Sequence, residues 1–284
     1  MSTKNDSTAS QVWFITGASS GFGRAIVDDV LARGGKVVAA VRTPSVMEDL
    51  AKANPDRVHV VRLDVTKTDE IRSAIASARE RFGRIDVLVN NAGYSMVGAV
   101  EETSDDELRS AMELMFFGAA SLTREVLPEM RERRSGTIVQ ISSVGGFITA
   151  PGFGPYCAAK HALEALSEAM SVEVAPFGVR VLVVEPGAFR TSLFGHGFRR
   201  MPPIDAYAST VGPTRAFTSQ SHGAQAGDPV KAARAIVDAV AAGSPTLRLP
   251  LGADAVSGIR DKLAAVAADV SRNEAVAVAT TVDA

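Results

Sequence analysis

The sequence predicts a doubly wound α/β fold, one parallel sheet of seven strands with helices on both faces. Seven short runs rich in Val, Ile and Leu recur along the 284 residues, separated by longer helical stretches. The runs are apolar throughout and do not alternate with polar residues, as strands covered on both faces require. A chain of this length suits one such domain.

In chain order the strands are read at 12–16, 36–41, 58–63, 85–90, 137–142, 179–185 and 246–249. Helices fall between them at 21–33, 46–53, 69–82, 105–133, 154–176 and 229–242. Strand, helix, strand repetition is the Rossmann pattern, in which ligands bind outside the carboxyl ends of the strands. Asp228 can cap the sixth helix, and Pro229 suits its first position.

Two regions leave this alternation. Residues 189–227 are rich in Gly, Pro, Ser and aromatics and too long for an ordinary connection, so they are read as a substrate lid. Beyond the last strand Val256, Ile259, Leu263, Val266 and Val270 recur at helical spacing, which predicts an amphipathic helix over 253–271 docked on the body. The domain is accordingly read as 1–272, with a frayed tail at 273–284.

The net charge of −2, with both signs interspersed, gives no basic field for nucleic acid or an anionic membrane. The polar first residues lack the core of a signal peptide, and no apolar run is long enough to span a bilayer, so a cytoplasmic location is expected. A single cysteine, Cys157, excludes an internal disulfide and any multi-cysteine metal site.

Directly after the first strand stands Thr16-Gly17-Ala18-Ser19-Ser20-Gly21-Phe22-Gly23, which opens a helix. Glycines there let backbone amides approach a pyrophosphate, and the helix N-terminus adds partial positive charge. The alternative is a tight strand-to-helix turn with no ligand. The second strand ends in Val41-Arg42, where NAD-specific folds place a carboxylate for the ribose 2′-hydroxyl. Arg offers a fork of donors and a permanent charge to a 2′-phosphate, so NADP(H) is favoured over NAD(H), unless Arg42 lies on a solvated rim.

Tyr156-Cys157-Ala158-Ala159-Lys160 sets a phenol and an ammonium one turn apart on one helix face, and Ser143 ends the fifth strand upstream. A phenol titrating near ~10 is a poor base at neutral pH, but neighbouring positive charge lowers that value. The trio then suits proton exchange with an alcohol or carbonyl oxygen.

These motifs together resemble the short-chain dehydrogenase/reductase family. The glycine loop is similar to its TGxxxGxG, Asn90-Asn91-Ala92-Gly93 to its NNAG, and Ser143, Tyr156 and Lys160 to its active site. Pro186-Gly187-Ala188-Phe189-Arg190-Thr191 follows in family order, so the resemblance covers most of 12–191. It implies nicotinamide-dependent exchange of a ketone or aldehyde with an alcohol. Gly17, Ser19, Ser20, Gly21, Phe22 and Gly23 would hold the phosphates. Asp64 and Val65 would contact adenine, though Asp64 could equally cap a turn. Asn90, Ala92 and Gly93 would brace the sheet and line the adenosine side. Tyr156 and Lys160 would hold the nicotinamide ribose. Pro186, Gly187, Phe189 and Thr191 would secure the carboxamide, although Phe189 could serve only to pack the lid. Ser142 is expected to point into the sheet.

One position departs from the family. Leu114-Met115-Phe116-Phe117-Gly118 places Met115 where an asparagine usually stands in the long helix. That asparagine acts largely through its main-chain carbonyl, which Met115 retains, so the question is whether the helix is still distorted there. Phe147, Phe153, Phe194, Phe198, Met201, Tyr207 and Phe217 flank the expected chemistry without a convergent cation set, which points to an apolar small-molecule carbonyl or alcohol. His196 and His222 in the lid could touch it or be solvated. Cys157 and His59 are read as packing residues, and the acidic cluster Glu101, Glu102, Asp105, Asp106 and Glu107 as a helix start. A homodimer or homotetramer through the two long helices is expected by analogy. A non-catalytic NADP-binding regulator, or an epimerase or dehydratase of the same fold, remains an alternative.

Overall fold

In a computed structural model describing residues 7–195, 197–221, 223–243 and 246–282, the sheet is ordered β3-β2-β1-β4-β6-β7-β9, all parallel. Its strands are β1 (Val12–Thr16), β2 (Lys36–Val41), β3 (Val58–Arg62), β4 (Val87–Asn90), β6 (Gly136–Ile141), β7 (Val179–Pro186) and β9 (Arg248–Leu251). Two short strands, β5 (Met96–Val97) and β8 (Arg199–Arg200), pair apart from it. The helices are α1 (Gly21–Ala32), α2 (Glu48–Ala53), α3 (Thr68–Phe82), α4 (Asp105–Met112), α5 (Gly118–Arg133), α6 (Gly154–Val174), α7 (Gly212–Gln220), α8 (Pro229–Ala242) and α9 (Ala253–Val278).

Successive strand residues serve opposite faces. Phe14, Val38, Leu88 and Ile138 pack with Ile71 and Ile75 of α3, Leu122 and Val126 of α5 and Met170 of α6. Trp13, Ile15, Val37, Val87 and Val139 pack with Ile26, Val27 and Val30 of α1 and Ile236, Val237 and Val240 of α8. The strands are apolar because each of their faces is a core. The chain runs outward from β1 to β3 and returns to β4, so a crevice opens between the carboxyl ends of β1 and β4.

Four expectations need correction. The helix read at 105–133 is two helices joined by a π segment, Glu113–Phe117, in which the Gly118 amide donates to the Glu113 carbonyl. No Gly or Pro within 113–117 signals it. Gly118 then lies against β3's continuation, where an added Cβ would sit 2.8 Å from the Val65 carbonyl. The last strand is 248–251 and not 246–249, because Arg248 is drawn inward by the buried carboxylates of Glu164 and Glu185.

The segment 189–227, expected to lack regular structure as a lid, contains β8 and α7. Helix α7 buries only Thr218, so it has no apolar periodicity to read. Finally, α9 continues to Val278 where a frayed tail was expected, since no Gly or Pro interrupts the Ala-rich run past Gly258. It does not dock along its length: only Ala255 is buried, and every helix residue from Arg260 onward is exposed. His196 and His222 lie outside the described residues. Among the described residues, no helix is long and apolar enough to cross a membrane.

Candidate active site

Thr16 fastens the two loops that flank the crevice. Its hydroxyl accepts the Asn91 and Ala92 amides at 2.9 and 3.0 Å, while Asn91 Nδ2 donates to the Thr16 carbonyl at 2.8 Å. Gly17 adopts φ +62°, open to glycine at little cost. A Cβ on Gly23 would lie 2.3 Å from the Gly17 carbonyl, so only glycine allows α1 to start against the loop. Ser20, the N-cap of α1, makes no side-chain bond to the first turn. The first-turn amides thus receive no side-chain acceptor from their cap.

The cleft above these strand ends has a volume of about 440 Å³. Gly17, Ser19, Ser20, Gly21, Phe22, Arg42, Asp64, Val65, Ala92 and Gly93 line one part of it. Met115, Ser143, Tyr156, Lys160, Pro186, Gly187, Phe189 and Thr191 line the other. Gly23 and Asn90 do not line it. Gly23 is consumed by packing. Asn90 is turned into the sheet, where Nδ2 lies 3.1 Å from Thr123 Oγ1 and 3.0 Å from Gln140 Oε1. Asp64 both lines the cleft and caps a turn, since Oδ1 accepts from the Thr66 amide and hydroxyl. Arg42 makes no hydrogen bond or salt bridge among the described residues and lines the cleft after β2, where its charge acts on the Asp64 carboxylate.

Tyr156 and Ser143 both line the cleft, where the serine hydroxyl favours the phenolate, and Ser143 Oγ accepts the Gly145 amide at 3.0 Å. Lys160 Nζ donates to the Ile141 carbonyl at 2.8 Å and sits 6.0 Å from the Tyr156 ring centre. Burial pushes the Tyr156 phenol up to about 12, opposed by the neighbouring Ser143 hydroxyl. Burial also draws the Lys160 ammonium down to about 8, opposed by the Glu164 carboxylate. Without the cofactor's charge, burial outweighs the influence of Lys160 on the phenol.

A family model described as short chain dehydrogenase matches residues 11–201. The chain belongs to the short-chain dehydrogenase family. It is an oxidoreductase, 38% identical over 247 residues to Oxidoreductase BOA17 of Botryotinia fuckeliana, covering 87% of this chain and 90% of that protein. The crystal structure of a short-chain dehydrogenase from Streptomyces avermitilis superposes with a TM-score of 0.90 at 50% identity, covering 96% of this chain and 99% of that one. A short chain dehydrogenase from Burkholderia cenocepacia in complex with NADP gives 0.72 at 26% identity, over 92% and 96%. Solved structures of this fold hold NAD in one case and NADP in another.

In this short-chain dehydrogenase the π segment includes Met115, so the helix is distorted at the position where the family resemblance implies an asparagine. Met115 is buried, and its thioether lies 3.6 Å from where a Gly93 Cβ would stand.

Other site-forming residues went unrecognised in the sequence. Ser142 Oγ donates to Glu164 Oε1 at 2.6 Å, and Arg248 bridges Glu164 and Glu185 at 3.1 and 2.9 Å, directly behind Ser143 and Lys160. Glu164 stands one turn after Lys160, a spacing that could have drawn notice. Asp254, in the first turn of α9, accepts the Ala188 amide at 2.7 Å and so fixes the Pro186-Gly187 turn. Glu102, taken only as part of a helix start, is buried; it accepts the Ala99 and Ile204 amides and pairs with Arg215 at 2.6 Å, tying the 189–227 segment to the body.

The expected apolar set is redistributed. Phe194 lines the cleft, with Leu193 beside it. Phe189 packs edge-on against Phe22 at 5.2 Å, Phe198 and Phe217 pack on Phe194, and the Tyr207 hydroxyl donates to Glu101. Phe147 lies under the Arg248 guanidinium, away from the cleft. Cys157 is buried as a packing residue, and His59 bonds Ser77 at 2.8 Å.

Proposed function

We propose that this oxidoreductase reduces a ketone or aldehyde on a mainly apolar small molecule, using NADPH and Tyr156 as the proton donor. The observation that carries the reading is the gathering of Ser143, Tyr156 and, one helical turn on, Lys160 in one cleft beside the glycine loop.

The residues present fit a nicotinamide dinucleotide. Uncapped amides at the start of α1 suit its phosphates, Arg42 suits a 2′-phosphate, and the Gly187–Thr191 turn braced by Asp254 suits its carboxamide end. When bound, the cofactor supplies the hydride. Ser143 donates to the carbonyl oxygen and orients it, and Tyr156 delivers the proton as negative charge develops there. Lys160 would hold the ribose hydroxyls, and its positive charge would stabilise the phenolate left behind. The main-chain carbonyl of Met115, in the π segment, serves the water relay that returns a proton. The Tyr94, Leu114, Leu193 and Phe194 side chains at the other end of the cleft favour an apolar substrate, with 189–227 as its lid.

A cytoplasmic, homo-oligomeric enzyme is part of the same proposal. Leu108 on α4 and Phe117 at the end of the π segment, both exposed and lining one shallow groove, support assembly through that face.

The test is loss of NADPH absorbance with a panel of apolar and charged ketones. Turnover of apolar ketones by the native chain, abolished in Tyr156→Phe with NADPH binding retained, is expected. Binding without turnover of any substrate would favour a regulator, and conversion without net cofactor loss an epimerase or dehydratase. Turnover confined to highly charged substrates would refute the apolar assignment.

A further inference from the structure

We propose that α9 is a self-association element that pairs antiparallel with α9 of a second copy of this chain. From Arg260 to Val278 the helix is exposed on every side, yet it carries an apolar stripe: Leu263, Val266 and Val270 are 54, 44 and 64% exposed. A helix without packing on any face is marginal in water, so a stripe of this kind calls for a covering surface.

The spacing identifies that surface. Val256, Ile259, Leu263, Val266 and Val270 alternate in steps of three and four, followed by Asn273 and Ala277 in the same register. That is the narrow seam of a two-helix coiled coil, not the wider face of a helix lying on a globular body. The flanking positions of the seam are Arg260, Lys262, Ala267, Asp269 and Glu274.

These flanks choose the orientation. In a parallel pair Asp269 would face the partner's Glu274, a like-charge contact. In the antiparallel register that stacks Ile259 on the partner's Val270 and Leu263 on the partner's Val266, Lys262 meets the partner's Asp269, twice by symmetry. Asn273 falls at the end of the seam beside the partner's Val256, where water reaches it, and its amide already donates to the Asp269 carbonyl at 2.8 Å.

The paired segment, Val256 to Asn273, is about 27 Å of helix. Beyond it the last turn, with exposed Val276 and Val278, overruns onto the partner's body, level with the partner's Ala253. Each helix is held at its root, where Asp254 accepts the Ala188 amide, so the contact is fastened to the turn beside the cleft.

Sedimentation velocity of the full chain over a concentration series tests this. Leu263→Asp, an exposed change that leaves the body intact, should halve the associated mass. Lys262→Glu and Asp269→Lys should each raise the dissociation constant on the order of tenfold by creating two like-charge contacts. The double swap, Lys262→Glu with Asp269→Lys, should return it to within about threefold of the native chain. Three results would overturn the proposal: a native chain that is monomeric throughout, unchanged mass in Leu263→Asp, or a double swap no tighter than the single ones. Unchanged mass would mean that α9 folds back on its own body or that another face alone holds the copies together.

Discussion

The Ser142 hydroxyl donates to the Glu164 carboxylate at 2.6 Å, which anchors Ser142 in the interior and leaves Ser143 beside Tyr156 in the cleft. Adjacent serines on one strand end are thereby given opposite duties. Glu164 is in turn held by Arg248 at 3.1 Å, so one buried carboxylate steadies both the serine strand and the helix that carries Lys160.

Glu164→Ala should therefore unsettle both. It leaves the Ser142 hydroxyl without its acceptor and Arg248 short of a partner, at a cost of about 3 kcal/mol in a buried network. Glu164→Gln keeps an acceptor for Ser142 and should lose less. Denaturant unfolding of the two variants measures the difference; equal losses would contradict the role given to the hydroxyl acceptor.

Glu185 sets a pH dependence of stability. Burial first, and then the Glu164 charge, push its carboxyl up to about 7, while Arg248 works the other way. A carboxyl raised on folding costs nothing below its unfolded value near 4.5, and the penalty grows as pH climbs to about 7 and is constant above. Glu185→Gln removes that titration. Its stability relative to the native chain should rise by on the order of 1–3 kcal/mol between pH 5 and pH 8, read from denaturation midpoints at the two values. A pH-independent difference would contradict the raised carboxyl.

The Lys160 ammonium, drawn down to about 8 by burial, loses its charge near that pH, while the Tyr156 phenol at about 12 stays protonated. Ketone reduction by the free enzyme should accordingly fall as pH passes about 8, because the phenolate left after proton delivery loses its neighbouring cation. The kcat/KM profile with NADPH shows it. In Lys160→Arg any remaining activity should lack that limb, since a guanidinium keeps its charge.

Arg42→Ala should raise the KM for NADPH by roughly ten- to a hundredfold, the worth of a charged hydrogen-bonding partner, and leave that for NADH within about threefold. Equal effects on both cofactors would place Arg42 on the rim.

Met115→Asn should keep or raise activity, because the π segment that exposes the neighbouring carbonyl is already formed around methionine. Steady-state turnover across the ketone panel tests this; lower activity with every substrate would contradict it.

The sheet, its parallel sense, the glycine loop and the Ser143, Tyr156, Lys160 set were legible in the sequence because they rest on local chemistry. Apolar runs buried on two faces, glycine where a backbone must approach closely, and four-residue spacing on a helix are properties of short segments. The rest depended on which distant segments came to lie together. Which partners brace Asn90 within the sheet, how closely Gly23 meets the Gly17 carbonyl, and the stacking of Phe147 under Arg248 are such cases. The π segment, the Glu164–Arg248–Glu185 network and the Asp254 brace join residues far apart in the chain, and only packing brings those partners within hydrogen-bond reach. Periodicity marked the apolar stripe of α9, but it could not tell that the body ends before the stripe does. What covers a hydrophobic face is fixed by tertiary geometry, because burial belongs to the pair of surfaces and not to either one alone.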